Sequence, residues 1–149
     1  MTSKSDTNLS AKRILLVEDD PAVCYFLERV LTRAGYFVGM AADGVSGLRF
    51  FRAQPWDLVI TDRTMPEVNG EELASEIKKE APAQPIILIA GIPSCVEHTE
   101  LFDAVFGKPF SIPALLACVS VLIDITPHEP DREMMTIQTA KPKMAGRKE

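Results

Sequence analysis

Asp57-Leu58-Val59-Ile60-Thr61-Asp62 is an apolar run that stops at an acid. Leu58, Val59 and Ile60 are aliphatic at consecutive positions, the pattern of a strand buried on both faces. A carboxylate at the C-terminal end of such a strand opens into the crevice where parallel α/β sheets bind ligands. The next residues, Arg63-Thr64-Met65-Pro66-Glu67-Val68-Asn69-Gly70, carry Pro and Gly breakers and read as a loop. Asp62 is therefore expected where a rigid strand meets a loop. A surface or capping acid after a strand would look the same in isolation, so the neighbouring elements decide.

Upstream, Ile14-Leu15-Leu16-Val17 forms the buried run of a strand over 13–18, which ends in Glu18-Asp19-Asp20-Pro21. An acid followed by Pro at the first helical position starts a helix, and Asp20 is read as its cap. Val23, Phe26, Leu27, Val30 and Leu31 give that helix an apolar stripe. A second strand is expected over 36–41. The helix after Asp43 turns Val45, Leu48 and Phe51 inward, and Trp56 is placed against a sheet edge. Downstream of the central strand, a helix from Asn69 or Gly70 points Leu73 and Ile77 inward and Glu71, Glu72, Glu76, Lys78 and Lys79 outward. Ile86-Ile87-Leu88-Ile89-Ala90 is a fourth strand, residues 102–107 hold a weak fifth, and Ser111 caps a last helix. Strands alternating with helices imply right-handed crossovers and a parallel sheet covered on both faces. The expected fold is α/β, a five-stranded parallel, flavodoxin-like doubly wound sheet of order 2-1-3-4-5. Residues 1–12 are expected to be a disordered leader, 13–123 the folded domain, and 124–149 a disordered, Pro-interrupted tail.

Composition excludes several classes. The net charge is −5, but residues 14–123 hold fifteen acids against eight bases, a net of −7. An acidic body argues against direct nucleic-acid binding. There is no run long enough to span a membrane and no secretory h-region, so a cytoplasmic location is expected. Cys24, Cys95 and Cys118 lack ligand-like spacing and read as buried thiols. His98 and His128, and the basic tail residues Lys141, Lys143, Arg147 and Lys148, read as solvated.

In the expected strand order the first and third strands are neighbours at the switch point. Glu18-Asp19 and Asp62 would then converge, and like charges would raise one another's pKa. A hard divalent cation relieves this, and Mg²⁺ suits few carboxylates with room for waters and a phosphate oxygen. Lys108-Pro109 brings an ammonium to the same edge. Three carboxylates, one Lys and one Mg²⁺ sum to about zero charge, which can admit a dianionic phosphoryl group.

Ile14-Leu-Leu-Val-Glu-Asp-Asp-Pro21, Asp57-Leu-Val-Ile-Thr-Asp62, Met65-Pro66 with Gly70, and Phe106-Gly-Lys-Pro-Phe110 together resemble the receiver domain of two-component response regulators, over about 13–123. The resemblance implies that Asp62 is the phosphoacceptor, taking its phosphoryl group from a phosphohistidine of a sensor histidine kinase or a phosphotransfer protein. It implies Asp19 as a direct Mg²⁺ ligand, Glu18 acting through water, the Thr64 backbone carbonyl completing the metal shell, and Lys108 pairing with Asp62 or its phosphate. A cis Lys108-Pro109 bond is expected. The chain departs from the pattern at Ala90, where receivers carry a hydroxyl, and at Val105, where they carry an aromatic switch residue. The segment from Ala90 to Lys108 is short, so the helix there is expected to be short or missing, with 95–101 as its helical stretch. The favoured reading is a stand-alone phosphoacceptor with no output domain, acting on a downstream protein partner. The alternative is a pseudo-receiver that binds partners without phosphorylation. A haloacid-dehalogenase-like hydrolase needs a second Asp where Thr64 stands. No enzymatic turnover is expected beyond hydrolysis of its own acyl phosphate, with Thr64 and Ile92 flanking the water path.

Overall fold

The computed structural model describes residues 11–124. The reading of 1–10 as part of a leader, and every reading placed on 125–149 including His128, lies outside those residues. The elements in chain order are β1 (Arg13–Val17), α1 (Pro21–Arg33), β2 (Phe37–Ala41), α2 (Gly44–Ala53), β3 (Leu58–Asp62), α3 (Gly70–Glu80), β4 (Ile86–Ala90), β5 (Ala104–Gly107) and α4 (Ile112–Asp124). The strands pair in parallel in the order β2-β1-β3-β4-β5. That is the expected doubly wound topology.

β3 and β4 are buried along their whole length, the polar Thr61 and Asp62 that end β3 included. Alternation along the strands divides the core into two layers. Leu15, Val17, Val59, Ile86 and Leu88 pack with Leu73, Ala74 and Ile77 of α3 on one face. On the other, Ile14, Leu16, Leu58, Ile60, Ile87 and Ile89 pack with Leu27 and Leu31 of α1 and Leu115, Val119 and Leu122 of α4.

Caps start the helices where the sequence places them. Asp20 accepts from the Ala22 and Val23 amides, with Pro21 first in α1. Asn69 and Glu72 form a reciprocal capping box on α3. Ser111 Oγ accepts from the Ala114 amide ahead of the last helix. Trp56 is buried, donates to the Phe50 carbonyl and stacks on Phe37 of the edge strand β2.

Three expectations need correction. Phe26 and Val45 are exposed rather than inward. α1 turns Cys24, Leu27 and Leu31 to the sheet, and α2 turns Gly44 and Gly47. Cys95 is exposed, and only Cys24 of the three thiols is fully buried. Glu71 is buried, not on the outer face of α3. As expected, no α-helix joins β4 to β5; two 3₁₀ turns, Pro93–Cys95 and Thr99–Leu101, stand there in place of one continuous stretch over 95–101. The backbone is extended at Val96 between them (φ −73°, ψ 125°), which buries that side chain and ends helical continuation. No helix among the described residues is long and apolar enough to cross a membrane.

Candidate functional site

The C-terminal edge of the sheet gathers the charges. Register sets Val17 opposite Thr61, so Glu18 and Asp19, just past β1, lie level with Asp62 at the end of β3. One carboxylate oxygen from each of Glu18, Asp19 and Asp62 lies within 4.8 Å of the others. Glu18 and Asp62 are 3% and 6% exposed, whereas Asp19 faces solvent. On the far side, Lys108 directly follows β5 and its amide donates to the Ala90 carbonyl. Its side chain crosses the end of β4, and Nζ sits 2.6 Å from Asp62 Oδ1. The Lys108–Pro109 peptide is cis.

The electrostatics follow from this crowding. Burial, then the charges of Asp62 and Asp19, pushes the Glu18 carboxyl up to about 7 against the opposing effects of the Asp20 amide and Lys108. Burial works against the Lys108 charge, but its hydrogen bond to Asp62 and the three nearby acids raise its pKa above the usual lysine value. The cluster is thus short of positive charge and offers only hard oxygen donors. That donor set fits Mg²⁺.

Gly70 makes the close approach behind Asp62 possible. A Cβ there would stand 2.3 Å from the Asp62 carbonyl oxygen and 2.9 Å from Leu88, so α3 can begin against the end of β3 only with glycine. Thr64 lies exposed in the connection between β3 and α3. Ala90 is buried at the end of β4, with no side-chain donor to offer the site. Val105 packs into the layer beneath α3, while Phe106 faces the opposite layer and meets Phe110 edge-on at 6.3 Å.

A model of the response regulator receiver domain matches residues 14–119. The chain belongs to the response regulator receiver domain family. Its 36% identity to the transcriptional regulatory protein GlrR of Escherichia coli K12 spans 138 residues, 88% of this chain and 31% of that protein. The response regulator ArlR of Staphylococcus epidermidis is 32% identical over 83% of this chain and 57% of its own length. The chain thus spans about a third to somewhat over half of the curated relatives it matches. Among solved structures, the response regulator TrrA of Thermotoga maritima in complex with Mg(2+)-BeF superposes with a TM-score of 0.70, at 33% identity over 74% of this chain and 98% of that one. A CheY-like receiver from Methanospirillum hungatei gives a TM-score of 0.73 at 30% identity, covering 77% and 95%. The protein is accordingly a receiver domain of two-component signalling with the flavodoxin-like fold of that family.

Sequence reasoning missed one feature of this receiver. Glu71 Oε2 pairs with Arg63 Nε at 2.7 Å, one residue beyond Asp62. Its Oε1 accepts from the Glu97 and His98 amides at 3.2 and 3.1 Å. The available signal was positional: Glu71 stands three residues before the buried Ala74 and so flanks the apolar stripe of α3. The mixed Glu/Lys composition of that helix hid it.

Proposed function

We propose that this receiver accepts a phosphoryl group on Asp62 from a phosphohistidine of a sensor histidine kinase or phosphotransfer protein. What most supports this reading is Asp62 held 2.6 Å from Lys108 within a cluster of three carboxylates. An Asp62 carboxylate oxygen attacks phosphorus, the P–N bond to the donor imidazole breaks, and the leaving ring nitrogen takes a proton from solvent. Lys108 anchors Asp62 beforehand and faces the charge that develops on the phosphoryl oxygens. Glu18, Asp19, Asp62 and the Thr64 carbonyl would hold Mg²⁺, which supplies Lewis-acid neutralisation of the incoming dianion. Water attack on the acyl phosphate later returns the free carboxylate, and the apolar Ile92 beyond β4 slows it by excluding water.

The acidic body fits protein partners better than nucleic acid, and a cytoplasmic setting agrees with the absence of a membrane-spanning helix among the described residues. Ala90 favours a second reading, a binding module indifferent to phosphorylation. Labelling with a small phosphodonor and Mg²⁺ separates the two. The parent chain is expected to form one base- and hydroxylamine-labile phosphoaspartate that Asp62→Asn lacks. Equal labelling of both would refute the first reading, and labelling of neither would select the second.

A further inference from the structure

The connection between β4 and β5 is short of regular structure, yet it is tied down at every turn. Glu71, 7% exposed, accepts two of its backbone amides, those of Glu97 and His98. Arg63, held by Glu71, donates from Nη2 to the Cys95 carbonyl at 3.1 Å. The Arg63 backbone is itself fixed, its amide on the Ile89 carbonyl and its carbonyl on the Gly70 amide. Val96 and Phe102 are buried in the core layer beneath α3. Pro93 sits so close on β5 that a Cβ at Gly107 would stand 2.8 Å from its ring. A buried carboxylate and a guanidinium thus satisfy backbone groups that helical hydrogen bonds would otherwise use.

We infer that Arg63 and Glu71 clamp residues 93–102 in one arrangement whether or not Asp62 carries a phosphoryl group. The inference rests on the reading of Asp62 as phosphoacceptor. A modification shifts a conformational equilibrium only through contacts that differ between the two states. Ala90, Gly91, Ile92 and Pro93 offer no polar side chain to a new phosphoryl group. Release of the segment would take both amide donors from the buried Glu71 Oε1 and leave Arg63 as its remaining partner, which disfavours opening. Arg63 and Glu71 are positioning residues here; neither touches the reacting atoms.

Amide hydrogen exchange on the full chain, with Mg²⁺ alone and with Mg²⁺ and beryllofluoride, tests this, and fluorine NMR reports bound beryllofluoride separately. In the parent, exchange at Glu97 and His98 is expected to change by less than about threefold on saturation. A larger change in either direction overturns the inference. Glu71→Leu removes the single oxygen that accepts both amides and is expected to speed their exchange by more than about tenfold while distant strands stay protected. Exchange no faster than in the parent overturns the clamp. Glu71→Gln keeps the shape but loses the negative charge that faces Arg63, and it gives the same contrast at smaller amplitude should the leucine variant fold poorly. If no beryllofluoride binds, the phosphoacceptor reading fails and the phosphorylation clause goes with it. The clamp itself is then judged on the contrast between parent and variants.

Discussion

Ala90 closes β4 with a methyl group at the place where a hydroxyl could meet a phosphoryl oxygen. Its burial one strand from Asp62 makes the position responsive to a single atom. Ala90→Ser is expected to tighten beryllofluoride binding about tenfold or more, since a hydrogen bond to a charged group contributes about 1.5–3 kcal/mol. Calorimetric titration that finds equal affinity would count against a donor being missing there. Glu71 gives a second prediction at this scale. Burial opposes its charge, but the Arg63 hydrogen bond and the His98 and Glu97 amides outweigh it and hold the carboxyl below the usual glutamate value. A folded-state pKa below the unfolded one stabilises the fold above the unfolded value, and that stability is lost as pH falls through the folded value. The melting temperature of the parent should therefore drop more steeply than that of Glu71→Gln as pH is lowered from about 6 to about 3. Parallel curves would show that the pair contributes nothing. The residues that carry the proposed chemistry, Glu18, Asp19, Asp62 and Lys108, stood out because each lies at the end of a strand or within two residues past it, where an apolar run gives way to charge. Glu71 was not, because burial of an acid depends on a partner eight positions away that no periodicity announces.

Helices in this receiver begin where short polar side chains stand in for missing backbone acceptors. Asp20 at α1 and Asn69 at α3 each cap one helix that packs against the sheet. Asp20→Ala and Asn69→Ala are each expected to lower stability by about 1 kcal/mol in urea unfolding, with an unchanged slope. A loss below a few tenths of that would show that packing alone sets these boundaries. Strand identities and caps were readable from local chemistry: β4 runs from Ile86 to Ala90 as its apolar run does. Helix faces were less so. Phe26 and Val45 fit an apolar stripe by spacing, yet Cys24, Gly44 and Gly47 take the buried positions. Rotation of a helix about its axis is chosen by the shape of the surface beneath it, and several rotations satisfy the same 3.6-residue period. The β4–β5 connection shows the same limit. Val96 and Phe102 anchor it as single plugs rather than as a stripe.

Across the whole molecule the sheet edge concentrates negative charge that the fold must tolerate. Glu18 and Asp62 are buried together with one lysine opposite, and burial with mutual repulsion holds Glu18 near neutral pH in its titration. Divalent cation binding should therefore stabilise the entire fold by mass action, by about 2.7 kcal/mol at a hundred times the dissociation constant. Mg²⁺ is expected to raise the melting temperature of the parent and to leave that of Asp19→Asn nearly unchanged. Equal shifts in both would place the ion elsewhere.

By itself the amino-acid sequence determined the number, type and order of the strands, the doubly wound sheet and the set of charges at its edge. Apolar runs, breakers and caps are local, and βαβ handedness leaves few ways to join them. Only the tertiary structure decided that Lys108 reaches across β4 to Asp62, that two 3₁₀ turns stand where a helix was conceivable, and that Glu71 turns inward to Arg63. Those outcomes depend on distances between residues far apart in the chain, and such distances exist only once the core has packed.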